Sequence, residues 1–153
     1  MRRSLGAILA LVSSCVMAHA QHIVFTMRTH PSCPVVITSV SPSKEFAFEQ
    51  VTLLDDSGKP IDSMELRVVL ATDSREEVVD GGRLFAKLAP GERKSVDTFL
   101  GRIRALTQRA QELRQTEARA IVYVESVEFA DGTQWDGAEP VVDIPVQPTP
   151  PTK

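Results

Sequence analysis

Apolar residues recur at every second position along much of this chain, the period of a β-strand with one buried face. The cleanest run is Met64, Leu66, Val68 and Leu70, with Glu65 and Arg67 on the opposite parity. Residues 23–28 and 35–40 are rich in β-branched side chains and bounded by Pro31, Pro34 and Pro42, which predicts two further strands. Phe46 and Phe48 share one face, but Val51 and Leu53 take the other parity, so a change of face or a bulge near Gln50 is expected. Weaker strands are predicted at 77–79 and 83–88, broken at Asp80-Gly81-Gly82 and followed by a tight turn at Ala89-Pro90-Gly91-Glu92. The stretch 121–129 begins apolar on both parities, with Ile121 and Tyr123 against Val122 and Val124. It continues with Val127 and Phe129 alone, as a strand does when it is covered on both faces at one end.

Between these strands the period changes. Phe99, Ile103, Leu106, Ala110 and Leu113 follow one another at spacings of four and three, the stripe of an amphipathic helix over about 99–116. Asp97 or Thr98 is placed to cap it, and the doubly apolar strand near Val122 and Val124 suggests that it covers the outer face of the sheet. Asp131-Gly132 predicts a two-residue type I′ hairpin, with Trp135 returning opposite Phe129 or Val127. A last strand is expected at 141–144, and residues 145–153, with Pro145, Pro148, Pro150 and Pro151, form a proline-rich tail expected to be disordered. The fold class expected is mainly β: an immunoglobulin-like antiparallel sandwich of seven or eight strands with one inserted amphipathic helix (about 99–116), spanning residues 21–144 as one domain.

The ends and the charge bear on where such a domain works. Arg2 and Arg3, the apolar run Leu5 to Val12 and the small-residue site Ala18-His19-Ala20 predict a signal peptide over residues 1–20, hence a secreted or periplasmic protein. Val12-Ser13-Ser14-Cys15 also resembles a lipobox, which makes a lipid anchor at Cys15 the rival route. Without Arg2 and Arg3 the 17 basic residues become 15 against 20 acidic ones, a net charge of −5. That balance argues against a nucleic-acid partner. After the leader no apolar run approaches the length of a membrane span, so no transmembrane segment is expected. With Cys15 removed, Cys33 has no intramolecular disulfide partner.

Catalytic chemistry is hard to assemble from what remains. No serine stands in a Gly-x-Ser-x-Gly elbow, and Asp80-Gly81-Gly82 lacks the lysine and helix of a phosphate loop. The adjacent pairs Asp55-Asp56 and Glu76-Glu77 cannot face one another as glycosidase carboxylates do. Asp131, Asp136 and Glu139 lack the alternate spacing of an EF-hand calcium loop. His22, His30 and Cys33 provide soft-metal donors near the mature N-terminus, and they define the alternative function of a periplasmic metal-binding protein. The principal expectation is a non-catalytic, cofactor-free binding, scaffold or accessory module that meets a protein partner through sheet edges or loops.

Ser57-Gly58-Lys59-Pro60-Ile61 after a strand, Leu88-Ala89-Pro90-Gly91-Glu92 and the Phe129 to Trp135 hairpin resemble turns of small exported bacterial immunoglobulin-like domains of the FxLYD-like group. The Phe-x-Leu-Tyr-Asp motif itself is missing, and the helix is a departure. The resemblance implies the sandwich and an exported, non-enzymatic role, and it carries over no catalytic residue.

Overall fold

A computed structural model describes residues 22–137 and 142–145. Residues 1–20, expected to be a signal peptide, with Cys15 among them, Glu139 and the tail beyond Pro145 lie outside the described residues. The chain forms two sheets and one helix, the mainly β two-layer architecture expected from the alternating pattern. Nine strands are described: β1 (His22–Thr29), β2 (Val35–Ser41), β3 (Phe46–Asp55), β4 (Ile61–Ala71), β5 (Glu76–Leu84), β6 (Arg93–Arg102), β7 (Glu117–Phe129), β8 (Gln134–Asp136) and β9 (Val142–Pro145). One sheet runs β5-β4-β7-β1-β9, with β8 also paired to β7; the other runs β2-β3-β6. One pairing departs from the antiparallel expectation, since β1 runs parallel to β7.

The inner faces meet in one core. Met64, Leu66, Val68 and Leu70 of β4 and Ala120, Val122 and Val124 of β7 face Phe48, Val51 and Leu53 of β3, all at 3 % exposure or less. Each large side chain so buried contributes about 1.5–3 kcal/mol against the entropy of ordering the chain. The parity change at Gln50 is a bulge: Phe48 pairs with Leu100, but Gln50 pairs with Asp97, so β6 carries an extra residue there. β3 changes face at the same place, so that Phe48 and Val51 both point inward.

Helix α1 (Ile103–Glu112) is shorter than predicted and begins four residues later. Residues 99–102 belong to β6, where Phe46 pairs with Arg102 across β3. Gly101 has φ +69, outside helical conformation, and the residue before the helix, Arg102, offers no side-chain cap. Asp97 and Thr98 therefore cap nothing; the Thr98 hydroxyl donates instead to the Phe48 carbonyl at 2.7 Å. The helix also does not cover an outer face. Its Leu106 and Ala110 enter the same core as Val122 and Val124, which are inner-face residues. α1 is thus the crossover from the small sheet to the large one, packed where β5 and β6 come together.

The break expected in β5 is absent. The strand runs unbroken through Gly81-Gly82, with a register shift at the Val68/Val69 pairs that leaves Val79 as the extra residue. The hairpin has a three-residue loop in place of the type I′ turn: Gly132 N–H donates to Phe129 O and Phe129 N–H to Thr133 O. Only Gly132 (φ +81) has positive φ in that loop, the pattern of a type I turn followed by a left-handed glycine. Trp135 lands opposite Val127, one of the two positions expected.

Candidate functional site

His22, His30 and Cys33 are not brought together. His22 opens β1 and is exposed, whereas His30 follows its last residue. Eight residues of extended chain separate the two by about 26 Å. Among the described residues no three metal-ligating side chains converge. His30 is 7 % exposed, with its ring 5.6 Å from Trp135 and 6.4 Å from Tyr123, and its buried Nδ1 makes no hydrogen bond. It fills the junction where β1 ends and β8 begins along β7. A side chain at Gly137 would place its Cβ 2.9 Å from His30 Nε2, so the glycine is needed there.

Cys33 sits in the turn after β1, and its thiol donates to the Val35 carbonyl at 3.0 Å. Burial pushes the thiol up to about 11, with the bond to Val35 opposing that more weakly. The group stays protonated at neutral pH, which makes it a slow nucleophile there. Native protein at pH 8 is expected to react with iodoacetamide at least about tenfold more slowly than denatured protein, as followed by mass spectrometry. Equal rates would contradict the buried, protonated thiol.

On the outer face of the large sheet, the charges answer one another. Glu125, on the bulged part of β7, accepts from Arg67 Nε at 2.6 Å, and Arg67 also pairs with Glu65 at 2.7 Å. The hydrogen bond that Arg67 donates to Glu125 raises its guanidinium above its ordinary range. Ser63, buried at 1 % exposure, accepts from Arg83 and donates to Glu128, and Arg83 also bonds Glu128. These residues line a polar cleft of about 240 Å³ together with Gln134 and Ser126. Ser63 is thus held between a guanidinium and a carboxylate, with its hydroxyl proton directed to Glu128. Arg28 of β1 reaches Glu76 of β5 with two bonds, at 2.9 and 2.6 Å, while its guanidinium lies 5.9 Å from the Tyr123 ring centre.

Asp131 is a turn residue. Its Oδ1 accepts from the Thr133 hydroxyl and backbone N–H, and its Oδ2 from Lys59 at 3.1 Å. These bonds, the Thr133 hydroxyl foremost, hold the carboxyl down at about 2. Because the folded pKa is depressed, the contribution is complete above the unfolded carboxylate range, near 4, and is lost as pH falls towards 2. Asp131→Asn is therefore expected to lower Tm only slightly at pH 7, because the group is exposed and screened, and the difference shrinks as a series of melts approaches pH 2.

The apolar surface is concentrated on one side. Val78 on β5, Phe85 just after it and Phe99 on β6 are 55 %, 77 % and 52 % exposed, the large hydrophobic residues left open among the described residues. β5 ends the large sheet and β6 ends the small one. The two strands touch, since Gly101 N–H donates to Asp80 Oδ2 at 2.8 Å. Beside them, Val78, Val79, Ala105 and Leu106 line a groove of about 320 Å³ between β5 and α1. Arg109 of α1 crosses one end of it to Glu77 with two bonds of 2.8 Å, and the Asp80–Gly101 bond crosses the other. The two Arg109 bonds hold the Glu77 carboxyl below its usual range, and a third bond, from Arg109 Nη1 at 2.8 Å, does the same for Glu112. Phe99 is held at φ +51, in the left-handed region that aromatic residues rarely adopt, with its ring edge-on to Phe46 at 5.6 Å.

The groove is not legible along the chain, because Phe99 falls on the helical stripe and Asp80-Gly81-Gly82 reads as a break in β5. The usable signal was the shared parity of Arg83 and Phe85, which places a phenyl ring among outward-facing residues. Comparison with family models, with curated proteins and with solved structures gives no match to this chain, so its site is read from its own geometry.

Proposed function

We propose that this protein is an exported, non-catalytic interaction module whose working surface is the β5–β6 side of the sandwich. The observation that carries this reading is that exposed Val78, Phe85 and Phe99 all stand on or next to the neighbouring edge strands β5 and β6, and that Val78 also lines the groove between β5 and α1 with Val79, Ala105 and Leu106. Exposed apolar groups gathered in this way mark association surfaces more often than chance. Elsewhere the ionisable side chains most open to chemistry are held in cross-strand pairs such as Arg67–Glu125 and Arg83–Glu128. Such pairs support the sheet rather than a reaction. The metal-carrier alternative loses support from the separation of His22 from His30 along β1.

A triple variant, Val78→Ser with Phe85→Ser and Phe99→Ser, tests the reading. Its Tm is expected to stay within a few degrees of the wild type, since all three side chains are exposed. Partner retention from an envelope extract, quantified against wild type, is expected to fall at least about tenfold. Undiminished retention would place the working surface elsewhere.

A further inference from the structure

We infer that the polar cleft on the outer face of the large sheet, with Phe85 beside it, binds a neutral sugar ring of an oligosaccharide. The site is separate from the β5–β6 association surface and shares only Phe85 with it. Strand register assembles it. Arg83, Glu65, Ser126 and Asp136 stand in one row across β5, β4, β7 and β8, and Ser63, Glu128 and Gln134 stand in the next. Residues two apart on a strand share a face, so both rows belong to the outer face. Leu84 pairs with Met64, so Phe85 follows at the level of Ser63 and extends the second row past β4. Its ring is 77 % exposed and lies 5.6 Å from the Arg83 guanidinium. The cleft of about 240 Å³ is lined from both rows, and Ser63, small and buried, leaves its floor low.

The lining selects the class of ligand. Arg83 is answered by Glu128 and Glu65 by Arg67, so no charge in the cleft lacks a counter-charge. A phosphate, carboxylate or ammonium group would have to break one of those pairs to find a partner. Hydrogen-bonding capacity is nevertheless left over. Arg83 Nη1, Glu128 Oε1, the Ser126 hydroxyl and the Gln134 amide make no hydrogen bond among the described residues. They comprise one donor, one acceptor and two groups that do both. Vicinal hydroxyls of a sugar each donate and accept, and planar guanidinium, carboxylate and amide groups engage such neighbours two atoms at a time. A sugar ring also carries a face of C–H groups, which packs on the negative face of an aromatic ring, and Phe85 offers one at the side of the cleft. The cleft is smaller than the ~300–1,000 Å³ of sites for drug-sized ligands, and suits one ring with the rest of the saccharide over open surface. A peptide strand is not favoured, because β4 and β7 are already paired on both sides there.

Titration of the isotope-labelled protein with cellohexaose, maltohexaose, N-acetylchitohexaose and hexagalacturonate, followed by amide NMR, tests this. At least one of the neutral hexasaccharides is expected to give saturable shifts at the Ser126 and Glu128 backbone amides and the Gln134 side-chain amide, with weaker binding of the acidic hexagalacturonate. Gln134→Ala and Phe85→Ser, both at exposed positions, are each expected to raise the dissociation constant at least about fivefold with Tm preserved. Phe99→Ser is expected to leave it unchanged. No saturable shift from any of the oligosaccharides overturns the inference, as do tighter binding of hexagalacturonate and shifts that stay away from the cleft. Sugar binding lost with Phe99→Ser but kept with Gln134→Ala would move the saccharide to the β5–β6 side and overturn the separate site.

Discussion

Phe48→Ala is expected to destabilise the protein by about 3–5 kcal/mol, the cost of deleting a fully buried ring and leaving most of its volume empty. Phe48 has no exposed surface and stands edge-on to Phe25 with ring centres 6.0 Å apart. The contact joins β3 of the small sheet to β1 of the large one, so the loss falls on the interface between layers and not within one of them. Urea unfolding curves measure it as a lower midpoint at unchanged slope. A loss below about 1 kcal/mol would mean that the two sheets do not share this core.

Gly101→Ala is the second large effect, expected at about 2–4 kcal/mol from two separate causes. The backbone there has φ +69, and an added Cβ would lie 3.2 Å from Ala47 Cβ and 3.2 Å from Phe48 Cδ2. Gly132→Ala separates the causes, because Gly132 has φ +81 but nothing within 4 Å of the new methyl. It is expected to show the backbone part alone, about 1–2 kcal/mol, in the same unfolding experiment. Equal losses at the two sites would show that the approach of β6 to Phe48 is looser than described.

The elements legible in the sequence are those with one wet face. β4 alternates because Glu65 and Arg67 meet water and Glu125 while Met64, Leu66 and Val68 meet the core. The misread elements are those where long-range pairing overrode a local signal. Phe99 falls on the helical spacing, yet β3 holds residues 93–102 as a strand, and the positive φ of Gly101 postpones the helix. Gly81-Gly82 reads as a turn, yet a Cβ at Gly81 would come within 2.8 Å of Arg67 Cδ and of the Leu66 carbonyl. That glycine admits a neighbour's side chain; it does not bend the chain. Glu125 interrupts the apolar odd-numbered run of its strand, and only the register with β4, which sets Arg67 beside it, accounts for the charge there. The groove could not be read at all, because its walls come from β5 and α1, joined only by the fold.

The account stands on the β5–β6 side being the surface through which the protein works. Incorporating a photo-crosslinking amino acid at position 85, and separately at exposed Ser39 on the opposite edge strand β2, tests that in living cells. Discrete covalent adducts are expected from position 85 and none above background from position 39. Adducts from position 39 with none from position 85 would contradict it and move the working surface to the other side of the sandwich.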